Sequence, residues 1–193
     1  MAVAPDGAHV YVANQGANRV SVIDTISNAV VATIQLSDSP AGLAMAPLGD
    51  NRLYVPQADD KVSVIDTISN AVVTTFPLFQ GLSGAAVAPD GRRIYVVAVF
   101  AKAVFVVDTM TNIVITSIPI ANAFGGPTVA VAPDGRHVYV INFFSNAVAV
   151  IDTTTNNVVT TIGVGTAPLA VAATARNVYV VNRDSNTVSV IDV

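Results

Sequence analysis

The chain has 193 residues, a formal charge of −4 and 11% charged residues, which suits one domain with much of its surface buried. Seven Arg and two Lys are scattered along it, so no basic stripe exists for nucleic acid. The most apolar stretch, Ile94 to Val107, is broken by Lys102 and is too short to cross a membrane as a helix. Cysteine and glutamate are both absent, which removes disulfides, thiolate chemistry, Cys-ligated metals and Glu as general acid, base or metal ligand.

Read from the first residue, the chain repeats itself. Five units are expected, at about 1-40, 41-82, 83-126, 127-166 and 167-193. Met1 aligns with Leu43 and Val129 inside a strand of later units, so the sequence is expected to open partway through a unit. No charged and apolar leader precedes the first repeat, so a secretion signal is either missing or removed.

Each unit then offers the same turns in the same order. Pro5-Asp6-Gly7 is a turn in which Pro presets φ, Asp accepts backbone N–H and Gly takes positive φ, and it recurs as Pro89-Asp90-Gly91 and Pro133-Asp134-Gly135. A strand opening Tyr11-Val12 follows, repeated at Tyr54, Tyr95, Tyr139 and Tyr179. A Val-rich run then closes on Asp24, Asp66, Asp108, Asp152 and Asp192, at spacings of 42, 42, 44 and 40 residues. Asp-Thr-x-x-Asn follows the first four of these, a pattern in which the carboxylate bonds backbone N–H groups just ahead of it.

In the fourth unit the predicted strands are Thr128 to Ala132, His137 to Asn142, Val148 to Asp152 and Asn157 to Ile162. Counting all units gives nineteen strands where five four-stranded sheets need twenty. The strands are apolar on both faces, as in Val20-Ser21-Val22-Ile23. Radially stacked sheets cover both faces, whereas a two-sheet sandwich leaves one polar. The expected fold is therefore an all-β propeller of about five four-stranded antiparallel blades, the last three-stranded or completed by association.

Five Tyr-Val pairs in register, three finished by Asn (Asn14, Asn142, Asn182), with the Ile-Asp-Thr and Pro-Asp-Gly elements, resemble YVTN repeats along essentially the whole chain. The WD-repeat pattern does not fit, since there is no Trp. The resemblance implies an exported or surface protein, of which this chain, at about 4.6 repeats of the 42-residue period, would be a piece. It also implies the alternative of a metal-assisted lactonase-like hydrolase or a lyase, with a site at the axial mouth and Ca²⁺ or Mg²⁺ there. Otherwise no cofactor is expected.

Function is expected where the copies differ. In an up-and-down meander, loops joining strands two and three share a face with loops entering the next blade. On that variable face fall Phe79, Phe100, Phe124, Phe143 and Phe144, which read as a partner or ligand patch or, alternatively, as packing between blades. Asn14, Arg19, Gln57, Asp59, Asp60, Lys61, Lys102, Asn142, Asn182, Arg183 and Asp184 are expected there too, either as a polar ring around the mouth or as ordinary solvated loop residues. Nucleophile-elbow, P-loop, zincin and EF-hand patterns are absent. His9 and His137 occupy equivalent hairpin positions and read as structural. A non-catalytic binding propeller is the expectation, with a protein or small-molecule partner, no nucleic acid, no membrane insertion, and self-association through open ends or the Phe loops.

Overall fold

A computed structural model describes residues 1–79, 81–120 and 129–193. Each unit folds as a meander, because its turns are closed by residues only two or three positions apart. Asp6, Asp90 and Asp134 each accept the N–H two residues on, from Ala8, Arg92 and Arg136. Gly7, Gly91 and Gly135 follow at φ of 72, 72 and 74°, which an L side chain resists.

The first blade comprises β1 (Ala2–Val3), β2 (His9–Asn14), β3 (Arg19–Asp24) and β4 (Val30–Gln35). The second comprises β5 (Ala44–Met45), β6 (Arg52–Pro56), β7 (Lys61–Asp66) and β8 (Ala71–Pro77). In the third are β9 (Leu82–Val87), β10 (Arg93–Ala98), β11 (Ala103–Asp108) and β12 (Val114–Pro119). The fourth holds β13 (Val129–Val131), β14 (His137–Asn142), β15 (Ala147–Asp152) and β16 (Asn157–Gly163), and the fifth β17 (Pro168–Ala173), β18 (Asn177–Asn182) and β19 (Thr187–Asp192). These are four antiparallel four-stranded sheets and one of three strands, paired in chain order. The expected propeller and its nineteen strands are present among the described residues. In the fourth blade the expected bounds shift by a residue or so, and Thr128, predicted to start its first strand, lies outside the described residues.

The core is divided into four seams. Tyr11, Val20 and Val22 of blade one meet Leu53, Val55 and Ile65 of blade two. Tyr54, Val62 and Val64 meet Ile94, Val96 and Val107 in the next seam. Tyr95, Val104 and Val106 then meet Val138, Val140 and Ile151, and Tyr139, Val148 and Val150 meet Val178 and Val180. Alternation along each strand sends one set of side chains backward and the other forward. The forward face always brings the Tyr, and the backward face brings smaller β-branched residues or Leu.

One expectation needs correction. The outermost strands are not covered on both faces: β4, β8, β12 and β16 are exposed over most of their length. Each carries a bulge opposite the end of its neighbour, between Val22 and Ile23 in blade one and at the matching places in blades two, three and four. The extra residues, Val31, Val73, Ile115 and Val159, point outward. A bulge in an edge strand disrupts the ladder that another chain would otherwise extend.

Large apolar side chains also stand on the face opposite the variable one. Ile26, Ile68 and Met110 stand exposed in the Asp-Thr-x-x-Asn turns of the first three blades, 74–90% accessible. Among the described residues no helix is long and apolar enough to cross a membrane.

Candidate functional site

Every loop between the second and third strands turns on one residue in the left-handed region: Asn18, Asp60, Lys102, Asn146 and Asn186, at φ of 49, 62, 51, 50 and 53°. In the first four blades the carbonyl of that residue accepts an N–H from just beyond the fourth strand: Leu36, Leu78, Ile120 and Val164, at 2.7–2.9 Å. The two kinds of loop are thereby tied together on one face, as the meander requires. Asp60 and Lys102 hold repeat-equivalent turn positions.

In the seam of blades one and two, Gln57 is fully buried. Its amide donates to Ser63 Oγ at 2.9 Å, while its carbonyl accepts Ser37 Oγ and the Asp38 N–H, both at 3.2 Å. Asp59 accepts Ser37 Oγ at 3.1 Å and pairs with Lys61 Nζ at 2.6 Å. Asn14 and Asn182, which end β2 and β18, donate to Ser21 and Ser189 of the adjoining third strands, each at 2.9 Å. Asn142 ends β14 in the same way and is 6% exposed. These amides sit one to a blade, and those of Asn14, Gln57 and Asn182 donate to hydroxyls of their own sheets. Arg19 opens β3 and is exposed.

The aromatic residues form two groups. In the first, Asp60 accepts the Gly81 N–H through Oδ1 at 2.6 Å and the Phe79 N–H through its carbonyl at 3.2 Å. The Phe100 ring lies so close over Gly81 that a Cβ there would stand 2.5 Å from it. Phe79 and Phe100 are thus brought to neighbouring loops, 64% and 73% exposed. Phe79 does so with φ at 51°, an uncommon conformation for a bulky side chain.

In the second group Phe143 and Phe144 meet edge to face at 5.3 Å. The Arg183 guanidinium of blade five lies 5.6 Å from the Phe143 centroid, and it also pairs with Asp184. That pairing holds the Asp184 carboxyl below the usual carboxylate range. Phe144 is exposed and Phe143 half-buried. Phe124 lies outside the described residues.

The opposite face holds concavities that the sequence did not point to. One of about 620 Å³ opens between blades three and four beside Asp90, Arg92, Arg93 and Asp134. Another of about 470 Å³ opens between blades four and five beside His137, Tyr139 and Ile162. Seam contacts lie on the same face. Arg52 and Arg93, the first residues of their second strands, reach the Thr109 and Thr153 carbonyls of the next blade, the latter at 2.9 Å. Blade one has Tyr11 Oη on the Thr67 carbonyl instead, at 3.4 Å. His9 and His137 occupy the Arg position and are shorter. Among the described residues no three His, Cys, Asp or Glu side chains gather into a set able to hold a metal ion.

The fold and its blade order define a five-bladed β-propeller. No protein-family model matches the chain, and no curated protein matches it in sequence, so its likeness to YVTN repeats rests on the motifs themselves. Solved propellers match in structure. Hydrazine synthase of Kuenenia stuttgartiensis does so with a TM-score of 0.77 at 21% identity, over 99% of this chain and 64% of that one. A chain of the mitotic checkpoint complex gives 0.84 at 14%, over 100% and 60%. A functionally unknown protein from Desulfotomaculum acetoxidans gives 0.81 at 18%, over 99% and 68%. The chain therefore spans roughly two thirds or less of the first of these, and at such identities the likeness is one of fold.

Proposed function

We propose that this propeller is a non-catalytic interaction scaffold of an exported or surface protein, presenting its variable face to a protein or peptide partner. Phe79 carries the proposal. A left-handed backbone costs an L residue roughly 1–2 kcal/mol, yet this Phe is left 64% exposed, so burial within the chain does not offset the cost. Backbone strain of this kind clusters at functional positions. Phe100 beside it and the Phe143–Phe144–Arg183 group supply the aromatic and Arg chemistry that dominates interface hot spots. The hydrolase alternative gains no such support, because Asp59, Asp60 and Asp184 are already engaged by Lys61, Gly81 and Arg183.

The test is to pan a displayed peptide library on the immobilised chain. Enriched peptides should lose about tenfold or more in affinity on Phe79→Gly with Phe100→Ser, and lose little on Val190→Lys at the end of the array. Failure to enrich any peptide, or equal binding to the aromatic variant, overturns the reading.

A further inference from the structure

Formal charge is divided unequally between the two faces. Loops and strand ends on the variable face carry four Asp and four Lys or Arg, and so balance. The remaining nine Asp and five Arg lie at the opposite face, which therefore holds the whole of the −4. Blades one and two supply −3 of it, from Asp6, Asp24, Asp50 and Asp66 against Arg52. The Ser27 and Ser69 N–H groups hold the Asp24 and Asp66 carboxyls below the usual carboxylate range, so both are charged at neutral pH.

The same region exposes large apolar side chains. Ile26, Leu48 and Ile68 are 90, 79 and 74% accessible, and Met110 of blade three is 84% accessible. All four stand outside the seam clusters. What Ile26, Ile68 and Met110 supply to their turns is a backbone N–H for the Asp carboxylate, and Thr154 supplies the same bond in blade four. Closing the turn therefore does not call for a bulky apolar residue there. Leu48 and Met110 also line one concavity of about 390 Å³ between blades two and three, together with Pro47, Pro89, Asp50 and Asp90. Apolar tips grouped on one face, with charge around them, mark an interaction site rather than the scattered exposure of an ordinary surface.

We propose that this face of blades one to three docks a cationic amphipathic segment of another protein. Its bulky apolar side chains would lie among Ile26, Leu48, Ile68 and Met110, with Lys or Arg against the Asp residues between them. Charge complementarity selects that occupant. A second copy presenting the same face would set negative charge against negative, and an anionic lipid surface would be repelled. The site lies on the side away from Phe79 and Phe100 and does not depend on them.

The probe is a fluorescent peptide of about 18 residues, built of Leu and Lys so that every Leu shares one helical face. Anisotropy reads its binding to the whole chain. It should bind, weaken as salt rises, and lose about tenfold or more in affinity on Ile26→Thr with Ile68→Thr. Thr154 shows that such a turn closes with Thr in that place. Leu48→Ser, in a different turn, should weaken binding severalfold on its own.

Failure of the peptide to bind overturns the proposal, as does equal binding of a peptide with Glu in place of Lys, or undiminished affinity in both variants. Affinity that falls instead on Phe79→Gly with Phe100→Ser would put the peptide on the variable face and equally overturn it. So would strong adsorption of the chain to phosphatidylcholine vesicles that is lost on Ile26→Thr with Ile68→Thr, since lipid would then be the occupant.

Discussion

A side chain placed in the left-handed region reports what its neighbours demand. Asn18, Asn146 and Asn186 are there by the usual allowance, since Asn tolerates that backbone. Asn146 also accepts the Ala167 N–H through Oδ1 at 2.9 Å. Lys102 and Phe79 have no comparable tolerance, yet share the conformation. Lys102→Asn should therefore raise unfolding stability by about 0.5 kcal/mol and Phe79→Gly by about 1 kcal/mol. Urea denaturation checks both, with the midpoint rising and the slope unchanged. If Phe79→Gly lowers the midpoint, its ring is supporting the fold, and its exposure does not mean recognition.

The seams show where local reading stops. Turns made by Asp24, Asp66, Asp108 and Asp152 were legible because each carboxylate accepts the N–H groups two and three residues on in its own chain. Strand order followed from those turns. The burial of Gln57, expected as a loop-face residue, gave no local signal, because its partners Ser37 and Asp38 lie about twenty residues upstream, before the second blade begins. Nor did Arg52 and Arg93, whose acceptors lie 57 and 60 residues away in the next blade.

On the Pro-Asp-Gly side, the exchange of Arg for His at equivalent positions changes what lines the grooves. Arg93→Ala removes a charged donor to a backbone carbonyl across a seam and should cost about 1–2 kcal/mol. Arg93→Lys should recover part of this, and Arg92→Ala, one residue away and exposed, should cost little. Equal losses from Arg92→Ala and Arg93→Ala would show that the seam contact adds nothing.

At the scale of the molecule, repetition multiplies small local effects into one pH response. Asp24, Asp66, Asp108 and Asp152 each have a pKa lowered from 3.8, chiefly by the backbone N–H of Ser27, Ser69, Thr111 and Thr155, with the same residue's hydroxyl second. Four native carboxylates thus release protons more readily than their unfolded counterparts. The stability they contribute is fully present above about pH 5 and is lost as pH falls through 3.8 and below.

Tyr11, Tyr54, Tyr95 and Tyr139 act at the other limit. Burial raises each above 10.0, so the neutral phenol is the native form, and that stability is lost as pH rises past 10. Stability measured by urea should then be level across neutral pH and fall on both sides. Because the four Asp turns are equivalent and far apart, their acid contributions should add. Asp66→Asn should remove about a quarter of the acid slope that these turns supply, and Asn at all four positions should leave only the share of Asp184, whose pKa is also lowered, while keeping the alkaline limb intact. An acid limb that keeps its full slope in the fourfold variant would place the titrating groups elsewhere, and would mean that the turns close on their amide geometry rather than on their charge.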